Sequence, residues 1–144
     1  MSEIITNKLT GKTSAGDVTI TSEGGAATMQ LQQGLAKAWH NFNGSGTVAT
    51  RDSLNVSSIT DNATGVFTTG FTNSMSNADY SLPAQGSFDI TGSTPTNYTG
   101  LTVKQGTGYS TTSSCKVSCA YITNTGGYLA DFEIVCLGIL GDLA

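Results

Sequence analysis

The chain's only histidine, His40, lies between its only tryptophan, Trp39, and Asn41. Histidine next to a nucleophile and a carboxylate is the core of a hydrolytic triad. Here no G-x-S-x-G elbow accompanies it, and no local carboxylate stands where it would orient the ring. A histidine at a surface or a subunit contact is the simpler expectation. The ten acidic residues are scattered, with no evident acid–base pair of a glycosidase. The glycine-bearing stretches GDVTITSEGG and TGLTVKQGTG match neither a phosphate loop nor a dinucleotide fingerprint. No EF-hand spacing occurs, and DNATG reads as a turn rather than a cation loop. Neither a cofactor nor a metal is expected, and the chain reads as no enzyme.

Cysteine chemistry is equally sparse. Cys115 and Cys119 fall four apart on one candidate strand, about 13 Å, which is too far for a disulfide. With no CxxC and one histidine, zinc is excluded. Cys115 opposite Cys136 has bridging geometry, but a cytoplasmic folding history opposes it. All three are expected as small buried hydrophobes. Sugar binding, by contrast, has candidates. Aromatic faces beside Asn and Thr suit it, and Trp39, Phe42, Tyr80, Tyr98, Tyr109, Tyr121 and Tyr128 are available. Most are needed in the core. Tyr98 and Tyr109, in Gly- and Thr-rich surroundings, are the candidate receptor or glycan contacts.

These side chains need a scaffold, and composition names its class. Of 144 residues only 11% are charged, against roughly 25% in ordinary domains. Thr, Ser, Asn and 18 Gly take their place. Thr fits a pleated sheet while Gly and Asn make turns. The expectation is an all-β antiparallel β-sandwich, jelly-roll-like, over residues 38–144. An N-terminal extended arm with one short helix, residues 1–37, precedes it. Net charge is −4, and the six Lys and Arg form no run, so nucleic acid is not an expected partner. No apolar run reaches the roughly 20 residues of a membrane span, so no membrane insertion is expected. The opening MSEIITNKLTGK lacks the pattern of a signal peptide.

In the arm, Val18 and Ile20 alternate with Thr19 and Thr21 as a short strand. ATMQLQQGLAKA, residues 27–38, is the helix candidate. Its apolar stripe of Leu31, Leu35 and Ala38 is narrow, which suits a seam between like helices. Leu31 and Leu35 are therefore candidate subunit-interface residues, and His40, expected at a surface or a subunit contact, is the third. Beyond residue 37, turn signals recur at NGSG, DNATG, GSTPTN, KQGTG and NTGG. Trp39, Phe42, Val48, Val56, Ile59, Phe67 and Phe71 are the expected core. The last hairpin is read with Thr123 opposite Tyr128, Tyr121 opposite Ala130, Cys119 opposite Phe132, Val117 opposite Ile134 and Cys115 opposite Cys136.

Ala38 to Tyr80, AWHNFNGSGTVATRDSLNVSSITDNATGVFTTGFTNSMSNADY, resembles a module recurrent in tail-fibre and other virion proteins of bacteriophages, marine phages especially. The pattern runs A-W-V-N-F-N-G-x-G-T-V-A-I-R-D-S-F-N-V-S-S-I-T-D-N-G-T-G, then F-T-x-x-M-x-x-A-x-Y. His40 stands where the pattern has Val, Thr50 where it has Ile, and Leu54 where it has Phe. The lead-in GKTSAGDVTITSEGG resembles threonine-rich segments of phage fibre stems. The resemblance implies a non-enzymatic virion structural protein, assembled in the host cytoplasm. It implies a homotrimeric tail-fibre or tail-appendage component for host attachment, joined to other virion proteins through residues 1–37. A capsid decoration protein, and a glycan-binding or glycan-degrading tail module, are the alternatives. A host surface glycan is the partner the last of these would need.

Overall fold

A computed structural model describes residues 3–12, 18–22, 24–25, 27–87, 98–102, 108–123 and 125–144, with backbone only at 98–102, 122 and 123. The chain forms two compact units, Met1–Leu35 and Ala36–Ala144. In the first, β1 (Thr19–Thr21) pairs antiparallel with β2 (Thr28–Gln30), Ile20 opposite Met29. The expected helix over 27–38 does not form, and no described residue is helical. What remains of it is a run of i→i−3 turn bonds: Gln33 N–H to the Gln30 carbonyl, Gly34 to Leu31 and Leu35 to Gln32. Three turns of helix broken by Gly34 nucleate poorly. The strand pairing takes Thr28–Gln30 instead. Ala38, the last residue of the expected stripe, opens a strand of the second unit.

The second unit is all-β and sandwich-like. One sheet has the order β10-β9-β6-β5, with β8 also on β9. It is built from β5 (Val56–Ala63), β6 (Val66–Phe71), β8 (Tyr98–Thr102), β9 (Ser114–Thr123) and β10 (Gly126–Leu129). The other has the order β4-β3-β11-β7, from β3 (Ala38–Asn43), β4 (Ala49–Leu54), β7 (Ala84–Ser87) and β11 (Ile134–Ile139). All pairings are antiparallel. The inner faces share one core: Phe42, Val135, Leu137 and Ile139 from one sheet, and Phe67, Phe71, Cys115, Val117 and Cys119 from the other. Phe42 and Phe67 meet edge-to-face across the two sheets at 5.3 Å. Phe132, Met75, Tyr80 and Leu82 close the ends.

Of the expected core, Phe42, Phe67 and Phe71 are buried, and Val48 and Ile59 pack against them. Trp39 and Val56 are only half-buried. In β3 the residues turned inward are Ala38, His40 and Phe42, so strict alternation puts Trp39 on the outer face.

The last hairpin needs a larger correction. The register places Tyr128 opposite Tyr121 and Leu129 opposite Ala120, two residues from the expected match. A shift of two keeps every side chain on its expected face, so Cys115, Val117 and Cys119 do point inward. After Leu129 the chain leaves that sheet. Residues 134–139 cross to the other one, where Cys136 lies opposite Asn41 and Gln85, not Cys115. The crossing reverses parity. Val135, Leu137 and Ile139 are buried, while Ile134 is exposed and Cys136 half-buried. All three cysteines are free thiols.

Candidate functional site

The stretch from Ala38 to Tyr80 holds the residues most suggestive of chemistry, and each has a local structural task. Asn43 closes the NGSG turn. Its Nδ2 donates to the carbonyls of Ser45 (2.7 Å) and Thr47 (3.1 Å), and its Oδ1 accepts from the Ser45 N–H. Gly44 then passes so close to the core that a Cβ there would sit 2.8 Å from the Phe132 carbonyl oxygen and from Phe67 Cζ. Arg51 reaches the Glu133 carbonyl (3.0 Å) and its carboxylate (3.7 Å), an exposed pair. Exposed pairs of this kind contribute about 0–1 kcal/mol.

Asn55 marks the corner where the chain leaves β4 in one sheet and starts β5 in the other. Its φ is 56°, a left-handed conformation that Asn tolerates better than most residues. The side chain makes three hydrogen bonds to two neighbouring segments: Nδ2 donates to the carbonyls of Lys37 (3.1 Å) and Asn73 (3.0 Å), and Oδ1 accepts from the Asn73 N–H at 2.7 Å. Asn62 organises the next turn through Thr68 Oγ1 at 2.9 Å. Gly65, at φ 66°, lies where a Cβ would be 2.5 Å from the Cys119 carbonyl oxygen. Further on, Met75 is buried and bonded through its N–H to Thr112, and the Tyr80 hydroxyl donates to the Ser114 carbonyl at 2.8 Å.

His40 is not at the surface of the chain. It is 1% exposed, inside the sandwich. Nδ1 lies 2.9 Å from Thr69 Oγ1 in the opposite sheet, and Nε2 lies 2.9 Å from Thr50 Oγ1 on the neighbouring strand. The ring tilts against Phe42 at 4.8 Å. Burial lowers its pKa to about 4, so the imidazole is neutral at pH 7. Both nitrogens are engaged and shielded from water, so His40 ties the two sheets together and is poorly placed to move a substrate proton. Burial likewise raises Cys115 to about 12. It raises Cys119 to about 12 with a smaller contribution from the Asp131 charge. Neither is a thiolate nucleophile at neutral pH. Among the described residues no three His, Cys, Asp or Glu side chains come together as a metal site would require.

The other candidates are dispersed. Leu31 is half-buried and Leu35 is 54% exposed, both on the turns after β2 rather than on a helix. Tyr98 lies on β8, paired with Ile122, and its side chain is outside the described residues. Tyr109 is half-buried, with Lys116 Nζ 5.5 Å from its ring centre. Tyr98 and Tyr109 therefore form no single described site.

Two features escape a reading by motif. Tyr121 and Tyr128 face each other across β9 and β10 and stack at 5.5 Å, with Tyr128 47% exposed. The second is the outer face of the β4-β3-β11-β7 sheet. It carries Trp39, Leu54, Asn41, Cys136, Ile134 and Gln85, and the buried Oδ1 of Asn41 has no hydrogen-bond partner. Only the alternation of β11, counted from the right starting parity, would have disclosed it. No protein-family model, curated protein or solved structure matches this chain.

Proposed function

We propose that this chain is a non-enzymatic structural protein of a bacteriophage virion, a homotrimeric tail-fibre or tail-appendage subunit that takes part in host attachment. The observation that carries this reading is how the 38–80 stretch is used. Its Asn, Gly, Arg and Tyr residues close turns, turn the corner between sheets and hold strand ends. A sequence rich in polar side chains is thereby accounted for by architecture.

The resemblance to phage fibre modules fits that use. Two departures from the pattern, His40 and Thr50, are partners in one hydrogen bond, so the change from two apolar residues to two polar ones falls as a coupled pair. A third, Leu54, lies directly across from Trp39.

The N-terminal unit supports assembly with other chains. All six strand residues of β1 and β2 are exposed, as are Ile4, Ile5, Leu9, Ile20, Met29 and Leu35. A lone two-stranded hairpin is marginal in water. Such a segment gains stability when copies of itself or other virion proteins cover it. Host attachment assigns the glycan-facing role to Tyr98 and Tyr109.

Immunogold labelling of particles of the encoding phage tests the reading. Label on the tail is the expected result. Label confined to the capsid would transfer the chain to the decoration proteins. No label on intact particles would remove it from the virion.

A further inference from the structure

The NGSG turn holds the one Asn-Gly pair in the chain, Asn43–Gly44. Such a pair is well suited to a reaction of the chain with itself, because glycine has no Cβ to obstruct ring closure. The Gly44 amide nitrogen, once deprotonated, bonds to the side-chain carbonyl carbon of Asn43. The Cγ–Nδ2 bond breaks, and ammonia leaves with the proton that Gly44 gave up. Water then opens the succinimide at its side-chain carbonyl to give aspartate, or at its main-chain carbonyl to give isoaspartate. Water is the sole co-reactant, and nothing is oxidised or reduced.

The fold withholds both reacting groups. Gly44 is buried, and its N–H donates to the Phe132 carbonyl at 2.9 Å. A proton held in a buried hydrogen bond is beyond the reach of the base that must remove it until the chain opens locally. The Asn43 carboxamide is fixed by its own bonds to the Ser45 carbonyl and N–H and to the Thr47 carbonyl. Turning Cγ onto the Gly44 nitrogen means giving these up. Reaction therefore waits for an opening that frees the turn and the Phe132 bond.

The products do not fit the place they came from. An aspartate at position 43 has no hydrogen to give the Ser45 and Thr47 carbonyls, and sets a carboxylate against oxygens that were 2.7 and 3.1 Å from Nδ2. Isoaspartate routes the main chain through the side-chain carbon, adding one methylene just before Gly44. There is no room for it. A Cβ on Gly44 would already lie 2.8 Å from the Phe132 carbonyl oxygen and from Phe67 Cζ. We infer that Asn43–Gly44 is a self-modification site, silent in the folded chain, at which an opened chain is marked irreversibly and kept from closing again. The site does not depend on what the chain assembles with.

The experiment ages the full chain at mildly alkaline pH, folded in buffer and unfolded in guanidinium chloride. Mass spectrometry of the tryptic fragment 38–51, with fragment ions that separate Asn43 from Asn41, measures aspartate and isoaspartate at each position. Asn43 should convert at least about tenfold more slowly in the folded chain. Equal rates overturn the shielding. The aged, unfolded chains are then diluted to refold, and the folded fraction is isolated by size-exclusion chromatography. Isoaspartate at position 43 should be at least about tenfold scarcer in that fraction than in the aged mixture. Equal proportions overturn the irreversible mark. Asn43→Gln, whose longer side chain closes a ring far more slowly, is the control. Ageing it unfolded should leave its refolding yield unchanged, and a fall matching the wild type's overturns the role of this residue. If Asn43→Gln fails to fold before ageing, the distribution of isoaspartate between the wild-type fractions decides alone.

Discussion

The outer faces of the two sheets obey the same alternation, yet one carries mainly Ser, Thr and Lys116 with Val66, and the other mixes Trp39, Leu54, Cys136 and Ile134 with Asp52, Asn41 and Gln85. Alternation dictates only what faces inward. The core is satisfied equally by both sheets, with Phe42 and Phe67 meeting at its centre. The outward positions are free of that demand. The difference therefore shows how firmly the fold fixes the inner positions and how little it fixes the outer ones.

Breaking the shared interior should abolish both faces together. Phe42→Ala removes a fully buried ring that contacts His40 and Phe67. The expected loss is about 3–5 kcal/mol, read as a fall in the urea midpoint. A smaller but switchable effect comes from His40, which joins the sheets through Thr69. Its folded pKa lies near 4, against 6.5 for the free side chain. At pH 7 both states are neutral and nothing is lost. As pH falls below 6.5 the unfolded chain takes up a proton that the folded chain resists, so stability declines until about pH 4. The total is about 3 kcal/mol. The partners facing the ring are Thr50, Thr69 and Phe42, none of which carries a charge to compensate. Urea melts of wild type and His40→Val at pH 7 and pH 4.5 check this. The variant should lose that part of the pH dependence, while starting about 1–2 kcal/mol lower because the buried Thr69 hydroxyl loses its partner.

Next in size is the corner between the sheets. Asn55→Ala deletes three hydrogen bonds and keeps a left-handed backbone, for an expected loss of about 2–3 kcal/mol. Asn55→Gly relieves the backbone alone and should recover about 1 kcal/mol of that. Smallest in folding stability are the face-specific changes. Leu54→Arg and Thr60→Arg should each alter the urea midpoint of the body by no more than about 0.5 kcal/mol. Equal, small effects on folding would show that neither outer face carries the fold, in contrast to the shared interior.

Much of the body's inner face was legible because it depends on local alternation. Phe42, Phe67, Phe71, Cys115, Val117 and Cys119 follow from period two within their own strands. The misreadings have a common cause in non-local pairing. Trp39 was assigned inward because it is large and apolar, although Phe42, three residues on, already fixed the opposite parity for β3. The continuous hairpin from Cys115 to Cys136 looked right because every expected pair except Thr123 with Tyr128 was apolar. No local signal reveals that Ile134–Ile139 pairs with β3, more than ninety positions earlier. The helix failed for a different reason: a stripe of Leu31, Leu35 and Ala38 was outweighed by Gly34 and the pairing of β2. At the candidate site, the turn-forming roles of Asn43 and Asn62 were implicit in their neighbouring glycines. The engagement of His40 with threonines on two other strands was not.

The central claim is that this is an assembling scaffold, so the most direct measurement is the mass of the purified full-length chain by size-exclusion chromatography with light scattering. The account predicts a species near three times 14.8 kDa, lost or reduced when residues 1–35 are removed. A stable monomer at micromolar concentration would contradict it.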